Sequence, residues 1–341
     1  MAVKQFTPKP KRALLDILFV ALPILFFIGS LATGSYDISP LDVCKSIIQG
    51  ITGTQLVDNA MAANLVLQVR LPRAIAAALV GAGLSVAGAV FQGLFKNPLA
   101  SPYTLGISNG AGFGAGLAIV LSLNALGIQV ISVLFGLAAV ALTFLFAARS
   151  KKSTVTLILA GMLVGSLFAS LVSLLKFMAD PTEKLPQIVY WIMGSLSGAS
   201  YDEILRILPL YIVALATIFM FRWRVNVLAI GDQEARSFGV DVRRDRSIVI
   251  VCSSIITALT VSISGIIGWV GIVVPHLARM IVGPDFRKLI PASLSLGICY
   301  MLLIDDICRT ATSSEIPIGV ITGIVGVPLF LYFIYKRKVN W

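Results

Sequence analysis

Ten apolar runs, most of about twenty residues, follow one another along the chain at 13–33, 74–94, 104–123, 126–147, 154–178, 204–222, 247–267, 269–283, 289–306 and 317–335. A helix of about 20 apolar residues crosses the hydrocarbon core of a bilayer. Lipid offers no water to backbone N–H and C=O groups, so only helices and closed barrels span it. The apolar–polar alternation of a strand is absent. The pattern therefore predicts an all-α, polytopic membrane protein with about ten transmembrane helices. The first run follows "KPKR" but exceeds a leader's apolar stretch of about 7–15 residues, and "ATGS" is a poor cleavage site. It reads as an uncleaved span.

The segments between the runs carry their own signals. Residues 35–72 predict a surface helix opening after Ser39–Pro40. Residues 179–203 contain an amphipathic stretch whose Tyr190 and Trp191 suit a membrane interface. The link "SISGIIGWVG" before the eighth run holds three glycines and reads as a bent or half-inserted helix. Such backbone is tolerated only where protein or a water-filled cavity surrounds it.

Composition agrees: 57% of the 341 residues are hydrophobic and 13% charged, against about 25% charged in soluble domains. The net charge of +11 is spread between apolar runs, which points to membrane topology and not to a nucleic-acid surface. With the N-terminus in the cytoplasm, 20 of the 27 Lys and Arg fall on the inner side. Ten spans then leave both termini cytoplasmic. The four cysteines have no metal or redox spacing and read as small apolar fillers. Small residues recur inside the runs: Gly112–Gly116, Gly161–Gly165 and Gly319–Gly323 are each GxxxG, a spacing that lets helix backbones approach closely.

Catalytic chemistry finds no support. His276 is the only histidine, HExxH and GxSxG are absent, and "GAGFGAG" lacks the spacing of a nucleotide loop. Ionisable residues are almost missing from the span centres, Asp305 and Asp306 lying at the outer end of the ninth. Ion-coupled carriers place such groups at mid-membrane, so the interior suits a bulky solute driven from outside the membrane domain. An ion-coupled carrier and a non-transporting receptor or scaffold stay open as alternatives.

The densest polar block is "AIGDQEARSFGVDVRRDR", residues 229–246, with four acids (Asp232, Glu234, Asp241, Asp245) against four arginines (Arg236, Arg243, Arg244, Arg246). Gly231–Asp232 predicts a helix start with Asp232 as N-cap, Gly239 a stop, and Asp241 a second start. Two short cytoplasmic helices follow. A lipid-binding patch would be strongly basic; a balanced one suits docking to a protein of complementary charge, or a solvated loop.

Five stretches, 71–116, 157–168, 191–203, 229–246 and 268–293 with 315–333, resemble the FecCD family, the permeases of bacterial ABC importers for iron–siderophores, haem and cobalamin. The first reads "LPRAIAAALVGAGLSVAGAVFQGLFKNPLASPYTLGISNGAGFGAG" and the last "EIPIGVITGIVGVPLFLYF". The resemblance implies an ABC importer type II permease fold, one transmembrane domain over 1–341, in the cell membrane of a bacterium or archaeon. It implies a second permease copy, identical or closely paralogous, two ABC ATPase subunits beneath and an extracytoplasmic substrate-binding protein above. No cofactor is expected on this chain; ATP and Mg would be used by the partner ATPase.

The same resemblance implies roles for particular residues. The block at Gly231, Asp232, Glu234, Arg236, Gly239 and Arg243 becomes the ATPase-coupling element. Arg70, Arg73 and Arg309, among the few outer basic residues, become docking groups for the binding protein; alone they read as interfacial anchors. The turn Asn97–Pro98–Leu99, with Ser153 and Thr154, becomes the cytoplasmic gate. Gly161, Gly165, Ser166, Gly319 and Gly323 of the fifth and tenth spans line the pathway, although small residues equally suit helix packing. The expected cargo is a metal chelate, a ferric siderophore first, with haem, cobalamin or a metal oxyanion as alternatives.

Overall fold

A computed structural model describes residues 9–34, 36–54, 56–57, 59–148 and 154–336. Among them every regular element is helical. In chain order they are α1 (Lys9–Ala32), α2 (Pro40–Thr52), α3 (Ala60–Asn64), α4 (Leu71–Phe95), α5 (Ile107–Val120), α6 (Ala125–Ala148), α7 (Thr154–Met178), α8 (Lys184–Met193), α9 (Tyr201–Ile230), α10 (Asp232–Ser237), α11 (Val242–Ser264), α12 (Val270–Val282), α13 (Phe286–Thr310) and α14 (Ile318–Lys336). Seven stretches are long and apolar enough to cross a membrane, and three shorter apolar helices stand among them. Each of these ten occupies one of the ten apolar runs, as the hydropathy pattern predicts.

The centre of the fold is α4. It continues a single helical path that begins at Ala60, passes through a π-helical stretch, Leu65–Arg70, and ends at Phe95. Nearly every residue of α4 is buried, and α13, α11, α12, α9 and α1 pack around it. Small residues make this possible. A Cβ on Gly81 would collide with the carbonyl of Gly297 in α13, and one on Gly88 with the carbonyl of Gly271 in α12. Polar side chains then stitch the contacts: Ser85 Oγ donates to Ser293 O at 2.7 Å, and Tyr211 Oη donates to Leu79 O at 2.7 Å.

Three sequence expectations change. The surface helix after Ser39 exists as α2, with the Ser39 hydroxyl accepting from the Asp42 N–H, but residues 60–73 belong to the central helix. Pro72, which lacks a donor, follows the π-helical stretch, where the hydrogen-bond ladder is already relaxed, and the helix continues. The third span is shorter than its apolar run. At about 1.5 Å per residue the 14 residues of α5 reach only about 21 Å, short of a hydrocarbon core of about 30 Å. A 3₁₀ turn, Pro102–Leu105, precedes α5, and protein covers most of its surface, the condition under which irregular backbone persists at membrane depth. The expected half-inserted helix is α12, 13 residues long, which follows a non-helical link bounded by Gly265 (φ 65°) and Trp269 (φ 69°). Finally, the N-cap of α10 is Gly231, with Asp232 as its first residue.

If α4 is the post on which the fold depends, Gly88→Val will overpack it and lower the thermal unfolding midpoint of detergent-purified protein, at a cost of about 1–3 kcal/mol or more. Gly198→Ala, at a site with nothing within 4 Å of the added methyl, will stay within about 0.5 kcal/mol of wild type. Equal midpoints for both variants would contradict this packing.

Candidate functional site

On the cytoplasmic side, α9, α10 and α11 form one continuous unit. Gly239, with φ 75°, ends the short α10 in the left-handed region that glycine adopts without strain. Asp241 then caps α11, accepting from the Arg244 N–H at 3.0 Å. Inward, Ala235, Val240 and Val242 are buried; outward, Asp232, Glu234, Arg236, Phe238 and Arg243 are exposed. The block is therefore an anchored ledge with alternating charges and one large aromatic, Phe238, 62% exposed at its tip.

Four polar ties hold the ledge. Arg246 donates to Asp232 at 2.5 Å, joining α11 to α10. Arg224 on α9 donates to both carboxylate oxygens of Asp245 at 2.9 and 3.0 Å, and Asp245 is almost fully buried. Asn226 joins α9 to the start of α13: its amide donates to Asp285 at 2.6 Å and its carbonyl accepts from the Phe286 N–H at 2.7 Å. Lys96 Nζ donates to Ile230 O at 2.6 Å. The hydrogen bond from Arg246 holds the Asp232 carboxyl below its ordinary value of 3.8, against a smaller opposing effect of burial. Burial raises the Asp285 carboxyl, but hydrogen bonds from Arg287 and Asn226 outweigh it and hold this group low as well.

The turn Asn97–Pro98–Leu99 lies at the end of α4. The Asn97 side chain accepts from the Leu99 N–H at 2.9 Å, and Leu99 projects outward. Ser153 lies outside the described residues, and Thr154 is described only as the first residue of α7. Along α7 the expected pathway residues divide. Gly161 and Gly165 are buried, Gly161 facing the Thr104 carbonyl and Gly165 accepting from the Asn109 amide at 3.0 Å. Ser166 is exposed, and with Ser170 and Ser173 it makes a hydroxyl stripe at helical spacing, each hydroxyl donating to the carbonyl four residues back. Gly319 of α14 faces the Met193 carbonyl at the end of α8, and Gly323 lies 4.0 Å, measured from an added Cβ, from the Trp269 indole nitrogen. No Asp, Glu, Lys, Arg or His interrupts the 154–175 or 318–333 segments.

On the outer side, the structure places Arg70, Arg73 and Arg309 inside the protein, each under 9% exposed. Arg73 bridges two elements, pairing with Asp305 of α13 at 3.0 Å and with Glu315 before α14 at 2.8 Å. Arg309 also pairs with Asp305, at 3.2 Å, and with Asp306. Arg70 donates to the carbonyls of Leu31 and Ala32 at 2.9 Å and to that of Tyr36, while Arg309 reaches those of Ser30 and Thr33. Three arginines and three acids thus form a neutral rim that ties α1, α4, α13 and the lead-in to α14. A cavity of about 480 Å³ opens along α8, lined by Tyr190, Trp191, Glu203 and Ser262 among others.

Sequence reading finds the ledge and the rim arginines but misses what they bind. Asp305 and Arg309 are an i, i+4 pair that local spacing can reveal; the link from Arg73 to Asp305 spans 232 residues and has no local signal. Lys96 reads only as one of the inner basic residues.

A bundle of this kind, with a short helix buried beside a continuous post, a polar ledge on one side and apolar helices long enough to cross a bilayer, is a multi-pass membrane permease. Residues 21–336 match the FecCD transport family, and the chain belongs to that family. It is 37% identical over 318 residues to the molybdate import system permease protein MolB of Haemophilus influenzae, covering 93% of this chain and 94% of that protein. It is 36% identical over 283 residues to the hemin transport system permease protein HmuU of Yersinia pestis, covering 80% and 83%. A solved metal-chelate type ABC transporter in an inward-facing conformation superposes with a TM-score of 0.85 at 37% identity, over 94% of this chain and 99% of that one. The chain is thus the permease component of an ABC importer, a transport subunit and not a catalytic one.

Two predictions come from the ion pairs. Asp305→Ala leaves two buried arginines short of a counter-charge and will cost about 3–5 kcal/mol, whereas Glu315→Ala, whose side chain is 46% exposed, will cost about 1 kcal/mol or less. Equal shifts in unfolding midpoint would rule out the buried rim. For Asp232, stabilisation by Arg246 is present above the ordinary carboxylate value and lost only as pH falls through the depressed one. Hydrogen-exchange protection of 231–246 should therefore stay level from about pH 8 to pH 5. A loss centred near pH 6 would overturn that assignment.

Proposed function

We propose that two copies of this chain, or this chain and a close paralogue, form the membrane passage of an importer that moves a metal chelate from an extracytoplasmic binding protein to the cytoplasm by alternating access. Two ATPase subunits dock on the 229–246 ledge and use ATP with Mg. The observation that carries this reading is the ledge itself: charge-balanced, exposed outward, anchored inward, and tied to α4, α11 and α13. Nucleotide-driven closure of the ATPases moves the two ledges together and, through those ties, the helices of the inner neck.

The hydroxyl stripe of α7 and the apolar face of α14 line the passage between the copies. That lining favours a ferric siderophore. A doubly charged oxyanion would be stripped of water along 154–175 with no positive group to meet it, at high cost, whereas a chelate carries its metal inside an organic shell. Identities of 37% and 36% to the molybdate and hemin permeases give no ranking among cargoes. The binding protein meets the outer rim, whose shape is set by Arg70, Arg73 and Arg309. Their guanidinium groups hold the rim together, and Glu315 is its most accessible charge.

The ledge is tested by Phe238→Ala, which should weaken ATPase association about tenfold, the loss expected of a central aromatic anchor. Glu234→Ala with Arg236→Ala should abolish stimulation of ATP hydrolysis by the loaded binding protein in liposomes. Unchanged association and unchanged stimulation together would remove the ledge from the mechanism. Uptake assays with ferric siderophore, hemin, cobalamin and molybdate then separate the cargoes; transport of molybdate alone would overturn the chelate assignment.

A further inference from the structure

Lys96 stands at the meeting point of the neck turn and the ledge. It is the C-cap of α4 and one of three non-glycine residues with positive φ among those described, at φ 48° and ψ 37°. For a side chain with a Cβ this left-handed conformation costs about 1 kcal/mol or more. The residue after it, Asn97, begins the neck turn, and the Asn97 N–H donates back to Gln92 O at 3.2 Å. Gln92 in turn donates to the carbonyls of Gly271 and Ile272, at 3.4 and 3.1 Å, so the end of α4 is fixed to α12.

From that fixed end the Lys96 ammonium reaches the last carbonyl of α9, at Ile230, directly before Gly231 and the ledge. The last turn of α9 carries no basic residue of its own. A helix C-terminus concentrates unsatisfied carbonyls and partial negative charge, and a cation there is favourable. Lys96 supplies that cation from another helix. Beyond Ile230, Asp232 binds Arg246 and so passes the connection to α11.

The geometry points to Lys96 as a positioning residue that transmits movement of the 231–246 ledge to the Asn97–Leu99 neck turn. The inference rests on the import reading above. It assigns the link to one ammonium–carbonyl bond that ties the two segments directly; the other ties lead from the ledge unit to α11 and α13. A chain that moves the ledge without this bond would move the neck only through the packing of whole helices.

The test uses hydrogen exchange in the intact chain, alone and in complex with its ATPase. In the chain alone, Lys96→Met keeps the stem but loses the charge and donor, and should raise exchange at 231–235 about fivefold, the effect of one lost hydrogen bond. Lys96→Arg should restore it. In the complex, ATP with vanadate should change exchange at 97–100 in wild type and Lys96→Arg. In Lys96→Met that change should vanish, while the ATPase still protects 231–246. A neck that responds to nucleotide in Lys96→Met as in wild type would overturn the inference, as would unaltered exchange at 231–235 in the chain alone. Failure of any ATPase to protect 231–246 in wild type would instead strike the import reading and leave the chain-alone comparison to decide the role of Lys96.

Discussion

The fold rests on the close approach of α4 to α12 and α13 across glycine. Where Gly81 faces Gly297 and Gly88 faces Gly271, backbone meets backbone with no room for a methyl group. Lipid gives no hydrophobic drive for helices to associate, so such contacts and interhelical hydrogen bonds hold membrane bundles together. With α4 fixed in this way, α12, too short to cross the bilayer, can lie beside it, and α5 lies among α6, α7 and α11, so that the backbone ends of both meet protein and not hydrocarbon.

A second device recurs at both ends of the bundle. The helices α1 and α9 end without basic residues in their last turns, and cations from other helices serve those carbonyls: Arg70 and Arg309 at the end of α1, Lys96 at the end of α9. At the outer end the arginines are buried and counter-charged by Asp305 and Asp306, which makes a rigid rim. At the inner end the lysine is exposed and its bond is single. The asymmetry fits a transporter whose outer surface must keep its shape while its inner segments move.

Much of this was legible in the chain because it depends on local chemistry. Apolar length marks the ten helices, Gly239 and Asp241 mark the turn of the ledge, and the glycines of 262–271 mark the broken eighth span. Other features were hidden. Asp232 resembles an N-cap, but Gly231 takes that position and the carboxylate serves Arg246 instead. Residues 60–72 carry no long apolar run of their own, yet through the π-helical stretch they continue into α4. The burial of Arg73 depends on partners more than 200 residues away. Gly161 and Gly165 fit either a passage or a helix contact by composition, and their contacts with Thr104 and Asn109 have no local signal in the chain.

The central claim is that work enters this protein at the 229–246 ledge and not from an ion gradient along its helices. Uptake of ferric siderophore into proteoliposomes holding the permease, its ATPase and its binding protein measures this directly. The account predicts uptake that requires ATP and Mg on the ledge side and persists when an ionophore collapses the proton and sodium gradients. Uptake that continues without ATP and stops with the gradient would contradict it.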